Sequence, residues 1–150
     1  MPELLGQQEF VSVPSYRLMS VRDYENDAGV GFEEALDRSQ TEFVASTGYE
    51  LVVNCASDLT PVAVRLEAWS GRPAGDDGWS VPQVFELECP TGLMVISIPT
   101  GGGVDLQLPA GRGIYAAEVV HRGREEKVTE TYRVRMWLVD ELPEYDEDDD

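Results

Sequence analysis

The stretch Val62-Ala63-Val64-Arg65-Leu66-Glu67-Ala68-Trp69 decides the fold class. Val62, Val64, Leu66 and Ala68 fall at every second position, with Arg65 and Glu67 between them, and a period of two sends the two sets to opposite faces of a β-strand. The same alternation recurs in both directions, broken at short intervals by turn residues. Upstream, Phe10-Val11-Ser12-Val13 and Tyr16-Arg17-Leu18-Met19-Ser20-Val21 flank Pro14-Ser15, and Phe43-Val44-Ala45 and Tyr49-Glu50-Leu51-Val52-Val53 flank Thr47-Gly48. Downstream, a loop rich in Gly, Pro and Asp over residues 70–78 leads to Val84-Phe85-Glu86-Leu87-Glu88-Cys89, and further runs cover 93–98, 104–108, 114–120 and 132–139. Short alternating runs separated by turns predict an all-β chain, a two-sheet antiparallel β-sandwich of about nine strands.

One segment has a helical period. Phe32, Ala35 and Leu36 stand at i, i+3 and i+4, and Glu33-Glu34 suits the positive end of a helix dipole, so residues 31–38 are expected to form one short helix crossing between the sheets. Gly101-Gly102-Gly103 and Gly111-Arg112-Gly113 lie between strands and read as turns, because a phosphate-cradling loop has to open a helix. No internal repeat is visible.

A chain of 150 residues that is 42% hydrophobic fits one domain with a real core. Residues 1–139 are expected to form the sandwich and 140–150 a disordered acidic C-terminal tail, since Asp140, Glu141, Glu144, Asp146, Glu147, Asp148, Asp149 and Asp150 crowd it without any Lys or Arg. No apolar run is long enough to span a membrane, and the N-terminus has no cationic region followed by an apolar stretch, so a cytoplasmic location is expected. Cys55 and Cys89 stand in separate strand-like runs with no CxxC, which predicts buried reduced thiols in place of a disulfide or zinc site.

The net charge is -18, from 29 Asp and Glu against 11 Lys and Arg. Such a surface repels nucleic acid phosphates and anionic lipid, which argues against direct nucleic acid or membrane binding, and it attracts basic partners from a distance. Acidity also simply keeps proteins soluble. Arg112, Arg122, Arg124, Lys127, Arg133 and Arg135 cluster late, interleaved with Glu118, Glu125, Glu126 and Glu130, and are expected to pair across an exposed hairpin.

Catalytic chemistry has little to stand on. The single histidine, His121, precedes Arg122-Gly123 at the end of a strand-like run and reads as a solvent-facing hairpin residue; no GxSxG motif accompanies it. No catalytic residue, metal site or cofactor is therefore expected. Asp58, Asp76, Asp77 and Glu25-Asn26-Asp27 are loop oxygens of the kind Ca²⁺ takes, but they lack the spacing of a calcium loop and read as turn residues. Trp69 and Trp137 end alternating strands and are expected in or beside the core. Trp79, after Gly75-Asp76-Asp77-Gly78, is expected as an exposed interface anchor.

In order, an early strand from Ser15-Tyr16, the acidic segment Phe32-Glu33-Glu34-Ala35, an apolar strand pair, Val104-Asp105-Leu106-Gln107-Leu108-Pro109-Ala110-Gly111 leading to Tyr115, and the late strand Thr131-Tyr132-Arg133-Val134-Arg135-Met136-Trp137 cover most of residues 10–139. This order resembles the competence protein J family of small inhibitors of the DNA-entry nuclease. The extra Arg112-Gly113 before Tyr115, the density of late Arg and the tail beyond Pro143 depart from it. The resemblance implies an all-β inhibitor or immunity-like protein and names no target.

Together these features predict a non-enzymatic binding protein for a basic partner, a nuclease or toxin. Its expected contacts are Glu33, Glu34, Asp37, Asp76, Asp77 and Trp79, with Asp146, Glu147, Asp148, Asp149 and Asp150 in the tail. A β-sandwich adaptor in a larger assembly is the alternative, and a sugar- or Ca²⁺-binding module a third reading.

Overall fold

A computed structural model describes residues 2–13, 17–25, 39, 43–48, 50–56, 61–75, 77–98, 102–123 and 130–142. The expected helix at 31–38 lies outside them, as do Asp76 and the tail residues from 143 onward. Ten strands, against the nine or so expected, build two five-stranded sheets. In chain order they are β1 (Leu4–Ser12), β2 (Leu18–Asp23), β3 (Val44–Ser46), β4 (Glu50–Asn54), β5 (Val62–Trp69), β6 (Gln83–Cys89), β7 (Leu93–Ser97), β8 (Gly103–Gln107), β9 (Gly113–Arg122) and β10 (Glu130–Asp140). The first sheet runs β1-β5-β10-β9-β6 and the second β3-β4-β2-β7-β8.

The sandwich is antiparallel with one exception. β10 lies parallel to β5, pairing Arg133 with Arg65, Arg135 with Glu67 and Trp137 with Trp69. β5 is thus held between an antiparallel edge strand, β1, and a parallel neighbour. β1 starts at Leu4, six residues before the alternation becomes legible at Phe10.

Alternation settles which side chains enter the core. Val62, Val64 and Leu66 of β5, Tyr132, Val134 and Met136 of β10, and Ala117 and Val119 of β9 meet Met19, Val21, Leu51, Val53, Met94 and Ile96 of the second sheet. Burying each of the larger of these side chains contributes roughly 1.5–3 kcal/mol. Cys55 and Cys89 lie in this cluster as buried thiols that are not joined in a disulfide.

A buried carboxylate ties the second sheet to its neighbouring turn. Asp23, at the end of β2, accepts hydrogen bonds from Thr91 Oγ1 (2.9 Å) and from the backbone N–H groups of Thr91 (3.0 Å), Gly92 (2.8 Å) and Glu25 (3.0 Å). Gly92 has φ 78°, and a Cβ there would come within 2.7 Å of the Gly111 backbone, so this turn admits only glycine.

Candidate functional site

Topology places a long connection over the outer face of the first sheet. β5 and β6 are separated by β10 and β9, so residues 70–82 must cross both strands to join them. This strap is fastened at its start by Ser70, whose N–H donates to the Glu3 carbonyl (2.9 Å) and whose Oγ accepts from the Glu3 N–H (2.7 Å). It is fastened near its end by Ser80, whose N–H donates to the His121 carbonyl (2.9 Å) and whose Oγ accepts from the His121 N–H (2.9 Å). Between these points, Arg135 Nη1 donates to the Ala74 carbonyl at 3.0 Å.

The strap makes a second buried layer out of a face that strand alternation alone would leave wet. Glu67, Glu118, Arg133, Arg135 and Trp137 all point outward from the core and are nevertheless buried. Arg135 meets Glu118 across the β10–β9 pair, with Nε at 2.9 Å and Nη2 at 2.5 Å from the same Oε1. Of the late charges, Arg135 and Glu118 pair across strands as expected, but this pair is sealed from solvent, in contrast to the exposed hairpin expected; Arg124, Glu125, Glu126 and Lys127 lie outside the described residues.

Two of the expected contact residues fall within the described part of this layer. Asp77 is exposed on the strap. Trp79 is half-buried, not an exposed anchor: the guanidinium carbons of Arg122 and Arg133 lie 4.3 Å and 4.5 Å from its ring centroid. Cations over an indole face are attracted by its quadrupole, so Trp79 fastens the strap to β9 and β10. Glu33, Glu34, Asp37, Asp76, Asp146, Glu147, Asp148, Asp149 and Asp150 lie outside the described residues.

His121 is not solvent-facing. It is half-buried, with its ring 5.8 Å from Phe43 in an edge-on contact and 5.9 Å from Tyr132. Tyr132 donates a short hydrogen bond to Glu130, whose Oε2 also accepts from the Ala56 N–H at 2.8 Å. These groups join the start of β10 to the loop after β4. Among the described residues no group of three or more His, Cys, Asp or Glu is arranged to hold a metal ion.

Beside the strap, on the β5 side, a cleft of about 610 Å³ opens over Arg65, Glu67, Trp69, Arg72, Arg133 and Arg135. Arg65 stands 3.6 Å from Glu9 and 3.8 Å from Glu67, and Trp69 Nε1 donates to Glu67 at 2.9 Å. Arg72 is exposed, and its guanidinium carbon lies 5.9 Å from the Trp137 ring centroid. Sequence reading missed this cluster, although a signal exists. Arg65-Leu66-Glu67-Ala68-Trp69 and Arg133-Val134-Arg135-Met136-Trp137 share the pattern Arg-x-charged-x-Trp, and the β5–β10 register sets them side by side.

No protein-family model and no curated protein matches the chain. Among solved structures, ComJ from Bacillus subtilis, inhibitor of the DNA degrading activity of NucA, superposes with a TM-score of 0.69 at 13% identity, over 93% of this chain and 99% of that one. The crocagin biosynthetic gene J protein superposes with a TM-score of 0.62 at 13% identity, over 92% of this chain and 98% of that one. At such identity the likeness concerns fold alone. The resemblance carried by the strand order and the turn before Tyr115 holds at that level: the chain has the fold of ComJ.

Proposed function

We propose that the chain is a non-enzymatic binding protein that engages a basic protein partner, a nuclease or toxin, and restrains it by presenting carboxylates where substrate phosphates would lie. The observation that carries this reading is the shared fold, over nearly the whole of both chains, with an inhibitor of a DNA-degrading activity, in a chain of net charge -18. Local charge supports it. Glu3, Glu9, Glu25, Asp77, Glu86, Asp105, Asp140 and Glu141 are exposed, whereas Arg133 and Arg135 are withdrawn into the strapped layer. Arg17, Arg72, Arg112 and Arg122 are exposed as well, but the acids outnumber them, and such an excess of negative charge speeds encounter with a basic partner.

In this reading Glu33, Glu34, Asp37, Asp76 and Asp77 form the lasting contact, and the tail from Glu144 to Asp150 steers the approach. The chain works in the cytoplasm. Surface plasmon resonance against the partner that co-purifies with the chain tests the division of labour. Association should slow as added salt shortens the Debye length from about 30 Å to 8 Å. Removing Glu144 to Asp150 should lower the association rate, and replacing Glu33, Glu34 and Asp37 with Ala should raise the dissociation rate. Salt-independent association would contradict the reading.

A β-sandwich adaptor is the second reading, favoured by the same fold in a protein of a biosynthetic gene set. It predicts a captured partner without DNA-degrading activity.

A further inference from the structure

The cleft beside the strap gathers Arg65, Arg72, Arg133 and Arg135 in a chain with only 11 basic residues in all. Two of the four are held fast. Arg135 spends Nε and Nη2 on Glu118 and Nη1 on the Ala74 carbonyl, and Arg133 is buried beside Trp79. They form a fixed floor, in which Glu118 balances the charge of Arg135.

The other two keep donors in reserve at the mouth. Among the described residues Arg72 makes no hydrogen bond or ion pair, and its one recorded contact is with the Trp137 ring. Arg65 approaches Glu9 and Glu67 at 3.6 Å and 3.8 Å, which are ion-pair distances too long for hydrogen bonds. Guanidinium groups present paired N–H donors matched to the two oxygens of a carboxylate. Trp69 on one side and the strap residues Pro73 and Ala74 on the other add apolar wall.

We infer that this cleft is a binding site for a single carboxylate carried on an apolar body, either a small organic acid or the C-terminal end of a peptide. The net charge of the chain selects the ligand class. A polyanion brings many charges into the repulsive field of the whole molecule, whereas one carboxylate feels that field once and gains the local arginines. The fork-to-fork contact falls to Arg72 and to Arg65, whose long ion pairs with Glu9 and Glu67 an incoming carboxylate displaces, while Arg133 and Arg135 fix the floor beneath them. The inference stands apart from the partner reading above, because it needs no nuclease.

The test is NMR titration of the full chain, following the Nε–H signals of its arginines. The probes are N-acetylphenylalanine, its amide, a tetrapeptide ending in Phe with a free carboxylate, the same tetrapeptide amidated, and a short DNA oligonucleotide. The free acid, the free-ended peptide or both should saturably shift Arg65 and Arg72, and whichever binds tighter identifies the source. The two amides and the oligonucleotide should leave them unmoved. Arg72→Gln and Arg65→Gln alter half-buried or exposed side chains and should each weaken binding about tenfold or more. Arg112→Gln, at the distant Pro90–Leu142 contact, should not. Absence of saturable shifts with either carboxylate, equal binding of the amides or of the oligonucleotide, or equal loss with Arg112→Gln would overturn the inference.

Discussion

Arg135 and Glu118 form a doubly hydrogen-bonded ion pair on the side of the first sheet that faces away from the core, 4% exposed each. Their burial is a product of topology, since the strap of residues 70–82 has to cross β10 and β9 to reach β6. Removing one member leaves the other charged and enclosed. Arg135→Met or Glu118→Met should each cost about 3–5 kcal/mol, whereas the double replacement Glu118→Met with Arg135→Met should recover most of it. Urea unfolding of the three variants measures the coupling; additive losses would show that the pair is not a unit.

Trp79 should hold the strap down. Trp79→Ala removes the ring on which Arg122 and Arg133 rest, at a cost of about 1–2 kcal/mol, and should expose residues 70–82 to protease while the sheets stay folded. Limited proteolysis followed by mass spectrometry locates the cut. Unchanged resistance there would show that the two serine-anchored ends suffice.

The thiols should be inert in the native chain. Cys89 is fully buried, and burial, with the nearby carboxylates of Asp23 and Glu88 adding to it, pushes its pKa up to about 12. Tyr115, which donates to the Gly111 carbonyl at 2.6 Å, is likewise pushed up to about 12, mainly by burial. Both groups keep protons in the folded state that the unfolded chain releases, so stability should fall as pH rises from about 9 towards 12. Cys89→Ala should flatten that fall. Rapid labelling of native Cys55 or Cys89 by a thiol reagent would contradict their burial.

Glu50 predicts an opposite use of acid. It is buried at the start of β4, and burial raises its pKa against the favourable influence of Ser20 and Arg22. The folded state therefore binds its proton more tightly than the unfolded chain, so this carboxylate costs stability above its folded pKa, and the cost disappears as pH falls below the unfolded value. Glu50→Gln should raise Tm at pH 7 and make little difference at pH 3. A lower Tm for the variant at pH 7 would mean that the Arg22 attraction outweighs burial.

The β class was legible because period-two alternation is local, and Val62 to Ala68 behaves in the structure as it reads in the sequence. The first half of β1 was not, because an edge strand exposes Gln7 and Glu9 and carries little apolar signal. The parallel match of β5 to β10 was hidden for another reason. Register between strands so far apart in the chain is set by packing, and only that register turns two Arg-x-charged-x-Trp segments into one charged layer. Trp79 was visible as an aromatic in a loop, but its cationic partners come from β9 and β10. Asp23 gave no warning, since the donors that satisfy it, in Thr91 and Gly92, belong to a turn remote in sequence.

Whether the chain restrains a nuclease is tested most directly by the rate of DNA degradation. The partner captured by the chain from its own cells, purified and freed by high salt, is assayed on double-stranded DNA while the chain is added back. Degradation should fall towards zero as the chain reaches molar excess, return with added salt, and recover faster after dilution of the complex with the Glu33, Glu34 and Asp37 to Ala variant than after the same dilution of the wild-type complex. A captured partner that degrades no DNA, or one that degrades it at an unchanged rate with the chain in saturating excess, would contradict the proposed restraint.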